Sequence, residues 1–449
     1  MNCRKKGHLL LIALLMITPL LHAQHVGSNS PYGRYGYGLL MKPSVGASES
    51  MGGISYGLRR SQHVNPGNPA SYSELDSLTF IFDFGISGHY SRLNDGTNQQ
   101  DFYNGNFDYV AIQFPLFKKM GASVGLLPYS KVGYNFGTGR SLSNIQYSEA
   151  YRGTGGLNQI YVGAAWEPLQ YFSVGANLSY LFGNFSHSSV VIPRSAASSA
   201  LVGETKQEFA IRDLKYDLGV QLTYPVDKTQ SVTLGLVYSP RVRARADLTP
   251  SEKLYVSDPY QNPWQAPAQV LTTDTLRDAD FHLPHTFGAG VTYKNSNLLV
   301  GLDGTYEGWK GMAYPDKLDE LTLDERYNNV FRLNAGVEYV ADPYSPNFFK
   351  RVRVRGGFSY SNSYVNVNVF NPARTDQRMG IGSFKELGLN VGVGLPMHDM
   401  RTGYVSMVNI GFGYFRQQPD TDHMIKQDMF KVSVSMSINE FWFYKWQFH

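Results

Sequence analysis

Hydrophobic and polar residues alternate strictly along many stretches of this chain. In Tyr171–Phe182, Phe172 and Val174 occupy one set of positions, and Ser173 and Gly175 occupy the other. Because successive side chains of a strand point to opposite faces, this period of two predicts strands with one apolar and one polar face. The stretches run about ten to sixteen residues, whereas strands of soluble proteins typically have about five or six. The pattern therefore predicts an all-β protein built from long strands.

The gaps between these stretches alternate between short and long. Glu167–Gln170 and Asn295–Asn297 are short, and the longest gaps are Gly137–Gly155, Gly183–Gly203 and Asp247–Leu283. Short turns at one end and long loops at the other are typical of outer-membrane barrels, whose short turns lie in the periplasm. The rhythm predicts a transmembrane antiparallel β-barrel of about fourteen strands over residues 77–449, with both termini periplasmic. A large secreted β-sandwich would show the same alternation and is the alternative.

Residues 1–23 have the pattern of a signal peptide for export. Three basic residues precede the apolar run Leu9–Leu21, and Ala23 ends a small-residue cleavage site. The only cysteine, Cys3, lies in this leader, so the mature chain is expected to have no disulfide and no cysteine metal site. Without the three basic residues of the leader, the 40 basic and 36 acidic residues of the full chain are nearly balanced. That balance does not favour nucleic-acid binding.

Residues 24–76 differ in character from the rest of the chain. They are rich in Gly, Ser, Pro and Asn, as in Asn65–Ala70, and show no strand period. Their aromatic and glycine content is unlike that of a solvated tail, although a disordered tail is the alternative. Fourteen strands enclose a lumen too wide for inward side chains alone to fill, and glycine turns let a backbone pack closely against a wall. Residues 24–76 are therefore predicted to form a hatch or plug inside the barrel.

Three parts of the chain carry a resemblance to a known family. They are the segment with Gly52 and Gly53 that ends in Asn68-Pro69-Ala70, the pair Leu283–Tyr293 and Gly301–Trp309, and the pair Phe331–Tyr339 and Val352–Tyr360. In this order they resemble the hatch, the Leu-Pro loop exit and the paired Arg/Glu-Tyr strands of the FadL/TodX family of outer-membrane transporters. The resemblance implies a fourteen-stranded barrel with an N-terminal hatch, and passive transport of long-chain fatty acids or hydrocarbons.

Pro128 interrupts the predicted third strand, Ala122–Phe136. Proline cannot donate to a β-ladder and a closed barrel has no edge strand to hold it, so a bulge or kink is predicted there. In the family that the chain resembles, the third strand bends inward and opens a lateral portal. The resemblance thus implies a ligand pathway past Leu126, Leu127, Pro128 and Tyr129. A local bulge without an opening is the alternative.

Two arginine ladders alternate with apolar residues. They are formed by Arg241, Arg243 and Arg245, and by Arg351, Arg353 and Arg355. A lipid-facing arginine at mid-bilayer costs about 2–4 kcal/mol, so both ladders are expected to face the lumen, the first near the outer rim and the second near the periplasmic rim. Arginine forks suit a ligand carboxylate. The alternative is structural pairing with carboxylates of this chain, for which the candidates are Glu49, Glu74, Asp76 and Glu338.

Two functions stay open at this point. The first is passive transport of hydrophobic small molecules such as long-chain fatty acids across the Gram-negative outer membrane. The second is a non-transporting FadL-like barrel that serves as an accessory subunit of an outer-membrane assembly or secretion complex. Outer-membrane lipid and lipopolysaccharide, a hydrophobic ligand and possible outer-membrane proteins are the expected partners.

No enzyme activity, cofactor or metal is expected. Gly53–Gly57 fits the pattern G-x-S-x-G, but a nucleophile elbow needs a strand before the serine and a helix after it, and the surrounding sequence predicts neither. No nucleotide-binding or zinc pattern occurs.

Overall fold

The structure is a computed structural model. It describes residues 30–76, 79–142, 145–193, 201–259, 261, 264, 267–314, 321–371, 374–398, 405–421 and 423–441. The predicted signal peptide, residues 1–23, lies outside this range. In the part of the chain that is described, no helix is long and apolar enough to cross a membrane.

Strands make up most of the described chain, and they are numbered here in chain order. The first ten are β1 (Leu39–Leu40), β2 (Thr79–Asn94), β3 (Gln99–Phe117), β4 (Met120–Leu142), β5 (Ile145–Leu169), β6 (Phe172–Pro193), β7 (Val202–Pro225), β8 (Ser231–Ser239), β9 (Val242–Tyr255) and β10 (Gln269–Thr273). The others are β11 (Leu276–Leu283), β12 (Thr286–Lys294), β13 (Leu298–Glu307), β14 (Val330–Val340), β15 (Arg353–Asn362), β16 (Val367–Asn371), β17 (Arg374–Gly382), β18 (Phe384–His398), β19 (Val405–Pro419) and β20 (Lys426–Phe441).

Short helical segments lie between some of these strands. Two are 3-10 helices, Pro31–Arg34 and Pro69–Glu74. Three are single α-helical turns, Ala47–Ser50, Leu323–Arg326 and Phe348–Arg351. None of them is part of the wall of the barrel.

The strands form a closed antiparallel barrel of fourteen strands, which confirms the predicted fold class. Two positions in the wall are each occupied by strands that continue one another. β7 pairs with both β8 and β9, and these are separated at Pro240. β11 and β12 follow the same course with a break at Pro284, where a proline again cannot donate to the ladder. The ring closes where β2 pairs with β20, from Thr79 opposite Phe441 to Asn94 opposite Lys426.

An apolar band covers the outside of the barrel near the end that carries the short turns, called here the turn end. On β7 the outward side chains Leu214, Tyr216, Leu218 and Leu222 are exposed. Further along the same strand the outer face becomes polar at Arg212. An outward apolar band with aromatic residues near its edges is typical of a barrel that spans a bilayer.

The wall is much taller on one side at the opposite end, called here the far end. β4, β5, β6 and β7 have 23, 25, 22 and 24 residues, whereas β13, β14 and β15 have 10, 11 and 10. The long loops predicted at Gly137–Gly155, Gly183–Gly203 and Asp247–Leu283 are therefore wrong in large part, because strands occupy much of each. Beyond the apolar band the outer face becomes polar, so the hydrophobic alternation disappears although backbone pairing continues.

Candidate functional site

The N-terminal residues 30–76, called here the lumenal segment, pack against inward-facing positions of the wall. A Cβ built on Gly235 would lie 1.8 Å from the backbone oxygen of Tyr56, and one on Gly121 would lie 2.0 Å from that of Tyr72. Only glycine permits such an approach of two backbones. The same close approach of this segment to wall glycines recurs at Gly175, Gly219, Gly336, Gly357 and Gly392. The wall is thus shaped to this segment on several strands around the barrel.

A buried carboxylate binds the backbone of the segment at its centre. Asp303 Oδ2, on β13, accepts hydrogen bonds from the backbone N–H groups of Ser55 at 2.5 Å and Tyr56 at 2.8 Å. The hydroxyls of Tyr56 and Thr305 lie 2.8 Å apart. Ser55, the serine of the G-x-S-x-G pattern, is therefore part of an anchored turn. Sequence reasoning missed Asp303 as a contact, and its only signal was an acidic residue on the polar face of a strand.

The predicted hatch residues form the turns of the lumenal segment. Gly52 and Gly53 have φ angles of 70° and 88°, which favour glycine. Asn68 caps the helix Pro69–Glu74, because its Oδ1 accepts the Ala70 N–H at 3.1 Å. Its Nδ2 donates to the backbone oxygen of Tyr56 at 2.7 Å. Asn68, Pro69 and Ala70 thus fix the course of the segment, and their hatch role stays a prediction.

Buried ion pairs join the lumenal segment to the wall. Arg60 donates to both oxygens of Glu338, at 3.0 and 2.7 Å. Arg353 and Arg355 donate to the same carboxylate at 2.7 and 2.8 Å. The inward orientation predicted for Arg353 and Arg355 is therefore confirmed, and they pair with a carboxylate of the chain. Further pairs between segment and wall are Arg59–Glu167, Lys42–Glu386 and Lys431–Glu49.

His63 lies buried beside this cluster of arginines. Burial, together with the charges of Arg60 and Arg355, lowers its pKa to about 3, and Glu338 opposes this shift. The imidazole is therefore neutral at physiological pH, which keeps an additional positive charge out of the cluster.

The orientation predicted for Arg241, Arg243 and Arg245 is wrong. The three side chains are exposed, while Ala244 and Ala246 point inward and are buried. Arg243 forms an ion pair with Asp280 of β11 at 2.8 Å on the outer surface. The ladder lies at the far edge of the apolar band, because Ala246 pairs with Ile211 of β7 and the outer face of β7 becomes polar at Arg212. An outward arginine costs much less there than at mid-bilayer. It does not line an interior pathway.

An aromatic cluster fills the far half of the lumen. Tyr37 is fully buried, and its ring centroid lies 4.2 Å from Phe281, 5.0 Å from Trp309 and 5.2 Å from Tyr314. The Tyr37 hydroxyl donates to the backbone oxygen of His282 at 2.5 Å. Trp309 and Tyr314 belong to the chain that follows β13, and this part of the chain folds into the lumen. This half of the barrel is packed as a protein core.

A small cavity remains between the lumenal segment and the wall. Its volume is about 110 Å³, and Leu127, Pro128 and Tyr129 are among its lining residues. Two ion pairs also line it, Lys215–Asp217 and Glu307–Arg332. Leu126 pairs across the ladder with Ile160, an exposed residue of the outer face, so Leu126 points away from the cavity. Three of the four residues predicted around Pro128 are therefore brought together, at a site with a polar lining.

The wall is interrupted beside Pro128. The ladder between β3 and β4 ends at Val110 opposite Leu126, although both strands continue toward the far end. A register shift between Pro128 and Ser130 marks the bulge that the proline predicted. We call the gap beyond Leu126 the lateral seam. Part of its β4 edge is covered by the lumenal segment, because β1 pairs with Ser130 and Lys131.

Polar side chains lie behind the lateral seam. Lys431 forms ion pairs with Glu49 and, at 3.4 Å, with Asp108. The amide of Asn106 lies 3.2 Å from ring nitrogens of His89. The Nζ atom of Lys131 is buried without a hydrogen-bond partner. A hydrocarbon that crossed the seam would meet these groups, and desolvating charged groups is costly.

A larger concavity, of about 840 Å³, lies on the outer wall. Leu218, Leu236, Phe287 and Phe331 are among its lining residues, and all four are exposed on the apolar band. It therefore faces lipid and is not a passage through the barrel. Within the described residues, no group of three or more His, Cys, Asp or Glu side chains could hold a metal ion.

Comparison with known proteins identifies the family. A family model described as BamG matches residues 5–449, almost the whole chain. The chain belongs to the BamG family. No curated protein matches this BamG-family sequence.

Solved structures similar to this BamG-family barrel include two toluene transporters and a FadL homologue, all of low sequence identity. The Pseudomonas putida toluene transporter TodX matches with a TM-score of 0.57 and 15% identity over 90% of this chain and 100% of that chain. A Pseudomonas aeruginosa FadL homologue matches with 0.55 and 13%, over 90% and 100%. The Ralstonia pickettii toluene transporter TbuX matches with 0.54 and 14%, over 90% and 99%. At such identities the likeness shows a FadL-like fold alone.

Proposed function

We propose that this barrel is a non-transporting subunit of an outer-membrane assembly or secretion complex, with both termini of the chain on the periplasmic side. The observation that carries the proposal is the filled interior. The cavity of about 110 Å³ beside Pro128 is smaller than the roughly 300–1,000 Å³ of typical ligand pockets. An apolar cavity of about 150 Å³ can bind benzene, but this one is lined by ion pairs.

The lumenal segment acts in this proposal as a permanent plug. Its backbone contacts wall glycines, its turn is held by Asp303, and its charged side chains meet partners on the wall. To open a path along the barrel axis, these buried groups would have to separate together. A subunit with a structural role has no need for such a movement.

Passage of hydrophobic molecules through the lateral seam is the second candidate function. The observation that favours it is the interruption of the β3–β4 ladder beside Pro128, in a barrel with a FadL-like fold. The polar groups behind the seam, such as Lys431 and Asp108, argue against an apolar cargo.

The experiment that separates the two functions measures uptake. Cells that produce the chain and cells that lack it are supplied with a radiolabelled long-chain fatty acid and with toluene. We expect equal uptake of both compounds, together with a defect in outer-membrane protein content in the cells that lack the chain. Faster uptake by the producing cells, without such a defect, would contradict the proposal.

A further inference from the structure

The tall part of the wall ends in an open strand edge. β9 pairs with β7 on one side, and with β11 and then β10 on the other. β13, the next strand of the barrel, ends at Glu307 and pairs with β12 only below this level. In the described part of the chain, the second edge of β10 and β11 therefore has no strand partner. Within the described residues, the amide and carbonyl groups along this edge have no strand to pair with.

β11 carries the features that protect an edge from foreign strands. Arg277, Asp278 and Asp280 are exposed along it, and Asp278 has a φ of 53°. The register shifts between Leu276 and Ala279. Charged side chains and bulges are the usual means by which proteins prevent edge-to-edge association. The edge of β11 is therefore guarded.

β10 has no such charges. Its residues Gln269–Thr273 include no charged side chain, and all of them are exposed. Val270 and Leu271 are both about half exposed, and Leu271 is the extra residue of a register shift between Val270 and Thr272. Trp264 is 96% exposed and Val256 is 71% exposed in the same part of the chain. These exposed apolar side chains lie close in sequence to the edge of β10, which has no strand partner among the described residues.

Membrane lipid does not cover this region. Thr272 of β10 pairs with Glu252, which in turn pairs with Thr205 of β7. Thr205 lies about 23 Å along the strand from Arg212, where the outer face becomes polar, at about 3.3 Å per residue. Exposed apolar side chains in water at this height indicate a protein contact surface.

We propose that β10 is a docking edge for an extended segment of another protein on the far side of the membrane, which adds to the sheet as a strand. The inference rests on the proposed function and names the surface through which the subunit meets a partner. The free backbone groups of β10 determine the shape of the occupant, because only an extended chain satisfies them in register. The exposed side chains of Val270 and Leu271 supply apolar contacts, and Trp264 is a residue type common at the centre of interfaces.

The test uses the full chain, isolated in mild detergent together with whatever binds it in the cell. Hydrogen–deuterium exchange at residues 269–273 is compared between this native assembly and the barrel after dissociation. A double variant, Val270→Lys with Leu271→Lys, introduces charges on the open edge. Leu276→Lys on the guarded strand β11 is the matched control. A photo-reactive amino acid in place of Leu271 identifies the chain that lies against β10.

We expect slower exchange at residues 269–273 in the assembly and a cross-link to an extended segment of a different protein. Recovery of that protein should fall about tenfold or more with the double variant, as for loss of a main contact, and should not change with Leu276→Lys. Full recovery of a partner with unchanged exchange at 269–273 would overturn this inference and leave the proposed function standing. A cross-link to a second copy of this chain would also overturn it. Absence of any stoichiometric partner would overturn both.

Discussion

Asp303 accepts the backbone N–H of Tyr56 at 2.8 Å, and this contact joins the wall of the barrel to the middle of the lumenal segment. The neighbouring N–H of Ser55 donates to the same oxygen at 2.5 Å. Both residues are buried. One carboxylate on β13 thus fixes a turn that lies far from it in sequence.

Asp303→Leu should loosen the lumenal segment. It leaves two buried amides without an acceptor, at a cost of about 1–3 kcal/mol for each unsatisfied group. Limited proteolysis of the folded barrel measures the effect as faster cleavage within residues 30–76. Asp303→Asn, which keeps an acceptor oxygen, should show a smaller effect. Equal resistance of all three proteins would show that this contact does not hold the segment.

Gly235→Val should displace the lumenal segment more strongly than Asp303→Leu does. The Cβ of the valine would lie only 1.8 Å from the backbone oxygen of Tyr56, so the two backbones must separate. Gly304→Val is the matched control, because nothing lies within 4 Å of a Cβ at that position. Heat-modified mobility on gels reports the barrel, and proteolysis reports the segment. We expect an intact barrel in both variants and a cleavable segment only in Gly235→Val.

Glu338→Gln should destabilise the protein because three arginines surround that one carboxylate. Removal of one partner from a buried ion pair typically costs about 3–5 kcal/mol. Asp101→Asn, at the exposed pair Arg92–Asp101, is the control and should have no measurable effect. Denaturant unfolding in detergent provides the comparison. A Glu338→Gln barrel as stable as the control would contradict this account of the cluster.

We expect the buried, neutral His63 to make the folded protein less stable in acid. Burial lowers its folded pKa to about 3 from the ordinary value of 6.5, so the unfolded chain binds the proton first. The stabilisation is fully present above pH 6.5 and is lost as the pH falls toward 3, by up to about 1.4 kcal/mol per pH unit. As the pH is lowered over this range, the thermal unfolding midpoint of His63→Leu should fall less steeply than that of the wild type. His423→Gln, at an exposed histidine, should follow the wild type.

Pro128→Val tests the lateral seam. Valine restores a ladder donor, and a β-branched residue suits a strand. If the seam is not a portal, the folded variant should take up a hydrophobic fluorescent probe at the rate of the wild type. A clear fall in probe uptake by folded Pro128→Val would favour lateral transport.

The alternation of residues was sufficient to predict the barrel and its strand number, because the membrane imposes a period of two wherever lipid lies outside the wall. The alternation led to the wrong face for Arg243, because it shows that two faces differ but not which of them points into the lumen. That choice depends on lipid outside the wall, and the outer face becomes polar near this residue. The alternation also failed at Asp247–Leu283, where strands continue without an apolar outer face. Contacts such as Asp303 with Tyr56 depend on residues far apart in sequence, and local patterns do not contain them.

The central claim is that this barrel is filled and acts through protein partners. Native mass spectrometry of the complex released from outer membranes in mild detergent tests it most directly. The account predicts the barrel in a stoichiometric assembly with at least one other protein and without a bound fatty acid or hydrocarbon. A barrel that is released alone and carries such a molecule would contradict it.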